Sequence, residues 1–483
     1  MLVYVRSEVF PRRSTRGVIL GLGWAQVVAI GIPCLVAIVV MIARGFDTAL
    51  VVGLPLVGLG LVAAFVPVGG KKIAEWVWPG IRFGIARLSR QYRYEASLLR
   101  PRDNGLVRLP GMEGTLRLLE DPRESVAEIF DASNRTLTVV GELAYGQFLS
   151  LPEEERDGRA DAWGMALTQI GQLSGVERLQ ILIRTSPDRG EDLARAYEVG
   201  RDESRSGSKA DLLYQDLLEA SAALMREYRT FIAVQISARK TGGLVRELGG
   251  GTLGLSRAIS DTRRQVEEAL AGVGVRVDQW LPASELSRLI RSTYDPRSGE
   301  QIAADPQFGA DISYSGPVAV EDGADHLVTD GGYFQVWTVN QWPRIAATAG
   351  FLRPLVMETV GQVTLSLIYE PVETGAALAA ANREVAAEES ARRERLKRGR
   401  VDTVVNVRER AGAMNHLDDI AAGHGEFKMG CLVAVSGQSM NELRRSGARL
   451  KAAATKKNID LRIAYLMQSE AFIAGALPLA RPL

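Results

Sequence analysis

The sequence predicts an α+β protein with an N-terminal transmembrane helical hairpin, followed by two split βαβ repeats and a helical-hairpin insertion. Two observations carry this. Two long uncharged apolar runs open the chain, and one order of strands and helices then occurs twice, about 197 residues apart. The length of 483 residues is enough for two to four domains. Lys plus Arg is 58 against 57 Asp plus Glu, a formal charge of +1, so the overall balance does not mark a nucleic-acid binder. Two cysteines, Cys34 and Cys431, exclude a disulfide-rich scaffold. The histidines His326, His416 and His424 show no metal-ligand spacing with either.

The first uncharged run fills the 27 residues between Arg16 and Arg44, and the second fills the 23 between Asp47 and Lys71. Each exceeds the roughly 20 residues that cross a hydrocarbon core. The connection from Ala43 to Asp47 is short, so both ends of the hairpin lie on one side. Arg6, Arg12, Arg13 and Arg16 precede it; Lys71, Lys72, Arg82, Arg87, Arg90 and Arg93 follow it. The positive-inside bias places both flanks, both termini and the large domain in the cytoplasm, with two spans in the inner membrane. A cleaved signal peptide fits less well, because the run is too long and a second run follows at once. Gly17-x-x-x-Gly21 matches a helix-contact motif weakly, and Cys34 reads as a small packing residue.

Residues 71–110 read as a basic interfacial segment. Lys71, Lys72, Trp76, Trp78, Arg82, Arg87, Arg90 and Arg93 are the candidate membrane-interface residues: indoles favour the headgroup level and cations face anionic lipid. The rival is a single-strand nucleic-acid platform, in which aromatics stack bases beside positive charge. Its place directly after a span favours lipid.

The soluble part divides into a first repeat over 111–295, a linker over 296–331 and a second repeat over 332–483. In the first, Arg135–Glu142, Glu177–Arg184, Arg229–Ala238 and Val273–Trp280 read as strands. Asp157–Leu173, Leu255–Ala271 and Ala283–Arg291 read as helices. In the second, the strands are Gly332–Asn340, Gln362–Glu370, Phe427–Ser436 and Asn458–Leu466. The helices are Ile345–Thr359, Ser439–Lys456 and Ser469–Leu477. Each copy is expected to be a ferredoxin-like unit with helices on one sheet face. Arg263, Arg264, Glu267 and Glu268 are placed on the polar side of their helix. The insert Glu191–Glu227 has a longer counterpart at 374–423, where alternating Glu and Arg suggest two solvated helices broken near Gly399. Arg201–Lys209 and Pro296–Ser313 read as exposed loops.

No catalytic constellation is legible. Gly70–Lys71–Lys72 lacks the Ser/Thr of a P-loop, and Phe65 stands where its first glycine belongs. There is no Gly-x-Ser-x-Gly elbow. Gly249–Gly250–Gly251 reads as a hinge, and Glu153–Glu155 as a helix start. His416 and His424 flank Asp418 and Asp419 too loosely for a metal or acid–base site. No cofactor is expected.

Trp342–Pro343–Arg344, Gly350–Phe351–Leu352–Arg353–Pro354–Leu355, Tyr369–Glu370–Pro371, Ala381–Asn382–Arg383–Glu384–Val385 and Gly423–His424–Gly425–Glu426–Phe427 together resemble actinobacterial conjugation-associated membrane proteins. The cytoplasmic part of those proteins is similar to the non-motor domain of VirB-type secretion ATPases. The N-terminal hairpin resembles a PrgI-type membrane subunit. The resemblance implies a non-enzymatic membrane scaffold of a type IV, DNA-conjugation-type secretion apparatus. Its partners would be membrane lipid, a separate secretion ATPase, other membrane subunits and further copies of itself. An EccE-like subunit of a type VII secretion complex and a membrane-tethered nucleic-acid handling module are the alternatives.

Overall fold

A computed structural model of the chain describes residues 22–68, 71–96, 105–112, 114–121, 123–144, 153–187, 197–200, 207–222, 226–304, 312–343, 350–357, 361–399, 403–423 and 425–482. Helices α1 (Trp24–Arg44) and α2 (Phe46–Phe65) are long and apolar enough to cross a membrane, with mean hydropathies of 2.6 and 2.2. They pack through glycine. A Cβ on Gly53 would lie 2.7 Å from that of Ala37, and one on Gly60 would lie 2.5 Å from the Ala29 carbonyl oxygen. Gln26, 2% exposed, donates from Nε2 to the Ala64 carbonyl at 2.7 Å, satisfying one of the carbonyls that a helix end leaves orphaned. Gly17 and Gly21 lie outside the described residues.

A two-residue ribbon, β1 (Pro67–Val68) against β2 (Lys71–Lys72), turns the chain into α3 (Ile73–Leu88). The first half then runs β3 (Arg93–Glu95), β4 (Leu106–Val107), β5 (Leu116–Glu120), β6 (Ala127–Asp131), β7 (Thr136–Ala144), α4 (Glu153–Gly171), β8 (Val176–Pro187), α5 (Lys209–Ala222), β9 (Arg226–Ser237), α6 (Gly242–Glu247), α7 (Gly251–Ala271), β10 (Arg276–Trp280), α8 (Ala283–Tyr294) and α9 (Gly299–Ala304). The second half runs β11 (Ala319–Asp322), β12 (Leu327–Thr329), β13 (Gly332–Gln341), α10 (Arg353–Met357), β14 (Val363–Pro371), α11 (Thr374–Lys397), α12 (Val404–Ala421), β15 (Phe427–Gly437), α13 (Met440–Lys456), β16 (Asp460–Ile463) and α14 (Gln468–Ala476).

Among the described residues these strands form one large antiparallel sheet in the order β3-β11-β12-β13-β15-β14-β8-β9-β7-β6-β5-β4. β10 pairs with the C-terminal part of β7, and β16 with the C-terminal part of β13. The strands of the two halves meet at the centre, where Ser366 faces Leu182 across the β14–β8 ladder. The central strands are buried on both faces and read as near-continuous apolar runs, as in Phe231–Val234. Ser439 caps α13, its hydroxyl accepting from the Glu442 N–H at 3.3 Å. Gly399, at φ 65°, ends the first arm of the α11–α12 hairpin.

Alternate residues along the strands enter two layers. Leu137, Val139, Ile232 and Val234 face α4 and α7, and Val433 and Val435 face α10 and α13. On the opposite face, Val140, Phe231, Val336 and Leu432 pack with α8 and α14 in a core that spans both halves. Helices therefore cover both faces, where a one-sided arrangement was expected. The reason is that α8 and α14 cross over after the last strand of each half.

Other expectations change as well. Residues 296–331, read as a linker, contain β11 and β12, which are paired into the sheet. Pro296–Ser313, read as an exposed loop, contains Ile302 and Ile312, both 4% exposed. Arg263, placed on a polar helix face, is 2% exposed, pairs with Glu124 and lies under the Trp280 ring at 5.8 Å. Only Arg353–Met357 is helical among the described part of Ile345–Thr359.

Candidate membrane-interface site

Within residues 71–110, Ile73–Leu88 form one helix. α3 begins directly after the β1–β2 turn, with Lys72 at its N-cap, and packs against both α1 and α2. Its large apolar side chains Val77 (51% exposed), Trp78 (70%), Ile81 (50%), Ile85 (58%) and Leu88 (89%) are uncovered. At roughly 100° per residue they share one stripe. The other side of the helix meets the α/β body. Trp76 lies edge-on to Tyr465 at 5.9 Å, and Arg82 forms an ion pair with Glu470 at the start of α14.

The remaining candidate residues separate. Arg87 stacks over Tyr92 at 5.5 Å from the ring centroid. Arg90 holds a left-handed turn at φ 58°, and its side chain is exposed. Arg93 sits in β3 and pairs with Glu95 at 2.8 Å. Lys72 is half-buried, and the Lys71 side chain lies outside the described residues. The described part of the segment is thus a docked helix followed by a short strand.

Sequence reasoning missed the body side of this joint. Tyr465 and Glu470 lie almost 400 residues from the helix they touch, and no spacing signals such a contact. It also missed Asp322, at the end of β11. The Asp322 N–H donates to the Tyr92 carbonyl at 2.8 Å, and its carboxylate accepts from the Ser469 N–H at 3.3 Å. Burial pushes the Asp322 carboxyl up to about 6, against the lowering effect of those Ser469 bonds.

Elsewhere the polar groups serve the fold. Glu128 and Asp121 are buried and accept from Ser256 at 2.8 Å and Ser260 at 3.2 Å; burial raises the Glu128 carboxyl. A cavity of about 280 Å³ is lined by Arg184, Arg229, Arg288, Glu227 and Glu285. Arg229 there is held by both oxygens of Glu142 at 2.7 Å, so its charge is matched internally. A second cavity of about 470 Å³ lies between the end of α4 and the base of the α11–α12 hairpin. His416 Nε2 stands 3.7 Å from Glu426, and His424 lies outside the described residues. Among the described residues no group of three His, Cys, Asp or Glu side chains is placed to hold a metal ion.

The arrangement joins an apolar hairpin to an α/β body through one amphipathic helix. No protein-family model matches the chain, and no curated protein matches it.

Proposed function

We propose that the chain is a non-enzymatic, membrane-anchored scaffold subunit of a type IV, DNA-conjugation-type secretion apparatus. In this reading α1 and α2 cross the cytoplasmic membrane, both termini face the cytoplasm, and the body docks a separate secretion ATPase. The body itself is two ferredoxin-like, split βαβ units. The pairing orders β10–β7–β9–β8 and β16–β13–β15–β14 support that assignment.

The observation that carries the scaffold reading is the joint. A hairpin serving only as a tether needs no fixed contact with its cargo. Here α3 touches both apolar helices on one side, and Tyr465 and Glu470 of the body on the other. Such a joint restricts how the body stands on a membrane, which suits presenting a docking face in a ring or lattice. Two segments that resemble the conjugation-associated proteins also meet in space: the Trp342 ring lies edge-on to Phe351 at 6.1 Å.

The test is the mass of the detergent-solubilised full-length protein, alone and coexpressed with the products of its neighbouring genes. A stable complex containing a VirB-type ATPase is expected. A persistent monomer that captures no coexpressed subunit overturns the reading.

A further inference from the structure

We propose that α3 lies in the plane of the membrane surface as an amphipathic lipid-binding helix, with Val77, Trp78, Ile81, Ile85 and Leu88 inserted among the lipid chains. This deepens the membrane-anchored reading above and rests on it. The surface is the outward stripe of α3, and its occupant is the phospholipid bilayer.

Three features select the bilayer over a protein partner. The first is position. Ile73 follows the end of α2 by a single turn, its N–H donating to the Val66 carbonyl at 3.2 Å, so α3 starts where the apolar hairpin stops. Gln26 at the start of α1 bonds Ala64 at the end of α2, which puts Trp24, 65% exposed, at that same end. Exposed indoles at the end of an apolar helix mark the headgroup level. The second feature is shape. The five uncovered side chains fall within roughly 100° of the helix circumference, while Trp76 lies on the opposite side against Tyr465. The third is the edge of the stripe. Arg87 flanks it, exposed and stacked on Tyr92, where a long cationic side chain reaches phosphate oxygens while its stem covers apolar surface; Arg82, at the other edge, is held by Glu470. A stripe of this size left in water would be an aggregation liability.

The consequence is orientational. Because the inner side of α3 is held by Glu470 and Tyr465, a helix lying flat on the bilayer fixes the tilt of the whole sheet. The body would then present the same edge to the cytoplasm in every copy.

The experiment uses the full-length chain in vesicles of phosphatidylcholine and phosphatidylglycerol, in a Cys34→Ala background. Cys431 is only 4% exposed, and burial pushes its thiol far above the ordinary range, so it does not compete for label. An environment-sensitive dye is placed at Ile85→Cys, at Leu59→Cys in α2, or at Leu396→Cys at the far end of α11. Brominated lipid is the quencher. The proposal expects the dyes at positions 85 and 59 to lose roughly half or more of their emission, with little change at position 396. Replacing Val77 and Ile81 by Glu should abolish quenching at position 85 and leave it intact at position 59. Quenching at 59 without quenching at 85 overturns the in-plane helix and leaves the hairpin reading standing. If the dye at 85 shifts to the blue only when a coexpressed subunit is present, the stripe is a protein-docking surface and the proposal is likewise wrong. Loss of quenching at both 59 and 85 defeats the membrane reading itself.

Discussion

Gln180 offers the sharpest test of how the two halves are held together. It sits on β8 beside the central β8–β14 ladder and is fully buried. Its Nε2 donates to Ser366 Oγ at 2.8 Å and to the carbonyls of Ala474 and Leu477 at 3.1 and 3.0 Å. Its Oε1 accepts from the Ala480 N–H at 2.7 Å. One first-half side chain therefore anchors the end of α14 and the segment after it. Gln180→Leu keeps the volume and removes all four bonds. The Ala474 carbonyl still accepts from Ser366, and that of Leu477 from the Leu479 N–H. The Ala480 N–H is orphaned in the core, at about 1–3 kcal/mol. The lost bonds add to this and the apolar gain of leucine offsets part, leaving a net loss of about 2 kcal/mol. For a body of this size that lowers the melting temperature by roughly 2–3 °C. Thermal unfolding in detergent measures the shift, and proteolysis at the C-terminal segment reports its release. A variant as stable as the parent, with unchanged proteolysis, would refute the idea that this network joins the halves.

Further outcomes follow from other contacts. Gly60→Val drives a side chain into the Ala29 carbonyl and Pro33, and should cost the hairpin about 1–3 kcal/mol; an interhelical label pair reads the separation, and an unchanged distance contradicts the packing. Asp322 has an ordinary carboxyl value of 3.8 that burial raises to about 6 in the folded chain. The native state therefore holds more protons than the unfolded chain between those values, and stability falls as pH rises from about 4 to 6. Asp322→Asn should flatten that slope and stabilise the protein at pH 7 by about 1 kcal/mol, discounted for the group's partial exposure; a slope unchanged by the substitution would count against the shift. Arg481 pairs with Asp131 at 2.5 Å, with both side chains nearly buried. Arg481→Met should destabilise by about 1–3 kcal/mol, because Asp131 loses its cation while retaining the Ser133 and Asn134 N–H bonds; urea unfolding compares the two proteins.

Much of the body was legible because periodicity reports which side chains are buried. The strands that the sequence predicts at Arg229–Ala238 and Phe427–Ser436 lie within a few residues of β9 and β15. The Glu/Arg-rich insert was read as two helices broken near Gly399, and it is α11 and α12. Short strands escaped: β11 and β12 have four and three residues, too few to alternate visibly. Charge alone puts Arg263 on the solvent side of α7, whereas Glu124 and Trp280 make its burial tolerable. At the candidate site, the composition of α3 pointed to an interface. Which of its faces is covered depends on Tyr465 and Glu470, and sequence spacing carries no information about them.

By itself, the sequence determined the apolar hairpin, the order of the longer strands and helices in both halves, and the basic aromatic character of the segment between them. Those are local properties, set by run length, side-chain period and charge within a few turns. Tertiary structure alone decided that the halves share one sheet and one core through the β8–β14 ladder. It also decided that Gly53 and Gly60 pack the hairpin, and that α3 is docked on one side and bare on the other. Each of these depends on contacts between residues far apart in the chain. Their energy comes from close packing and from satisfying buried polar groups, and neither leaves a periodic trace in the sequence.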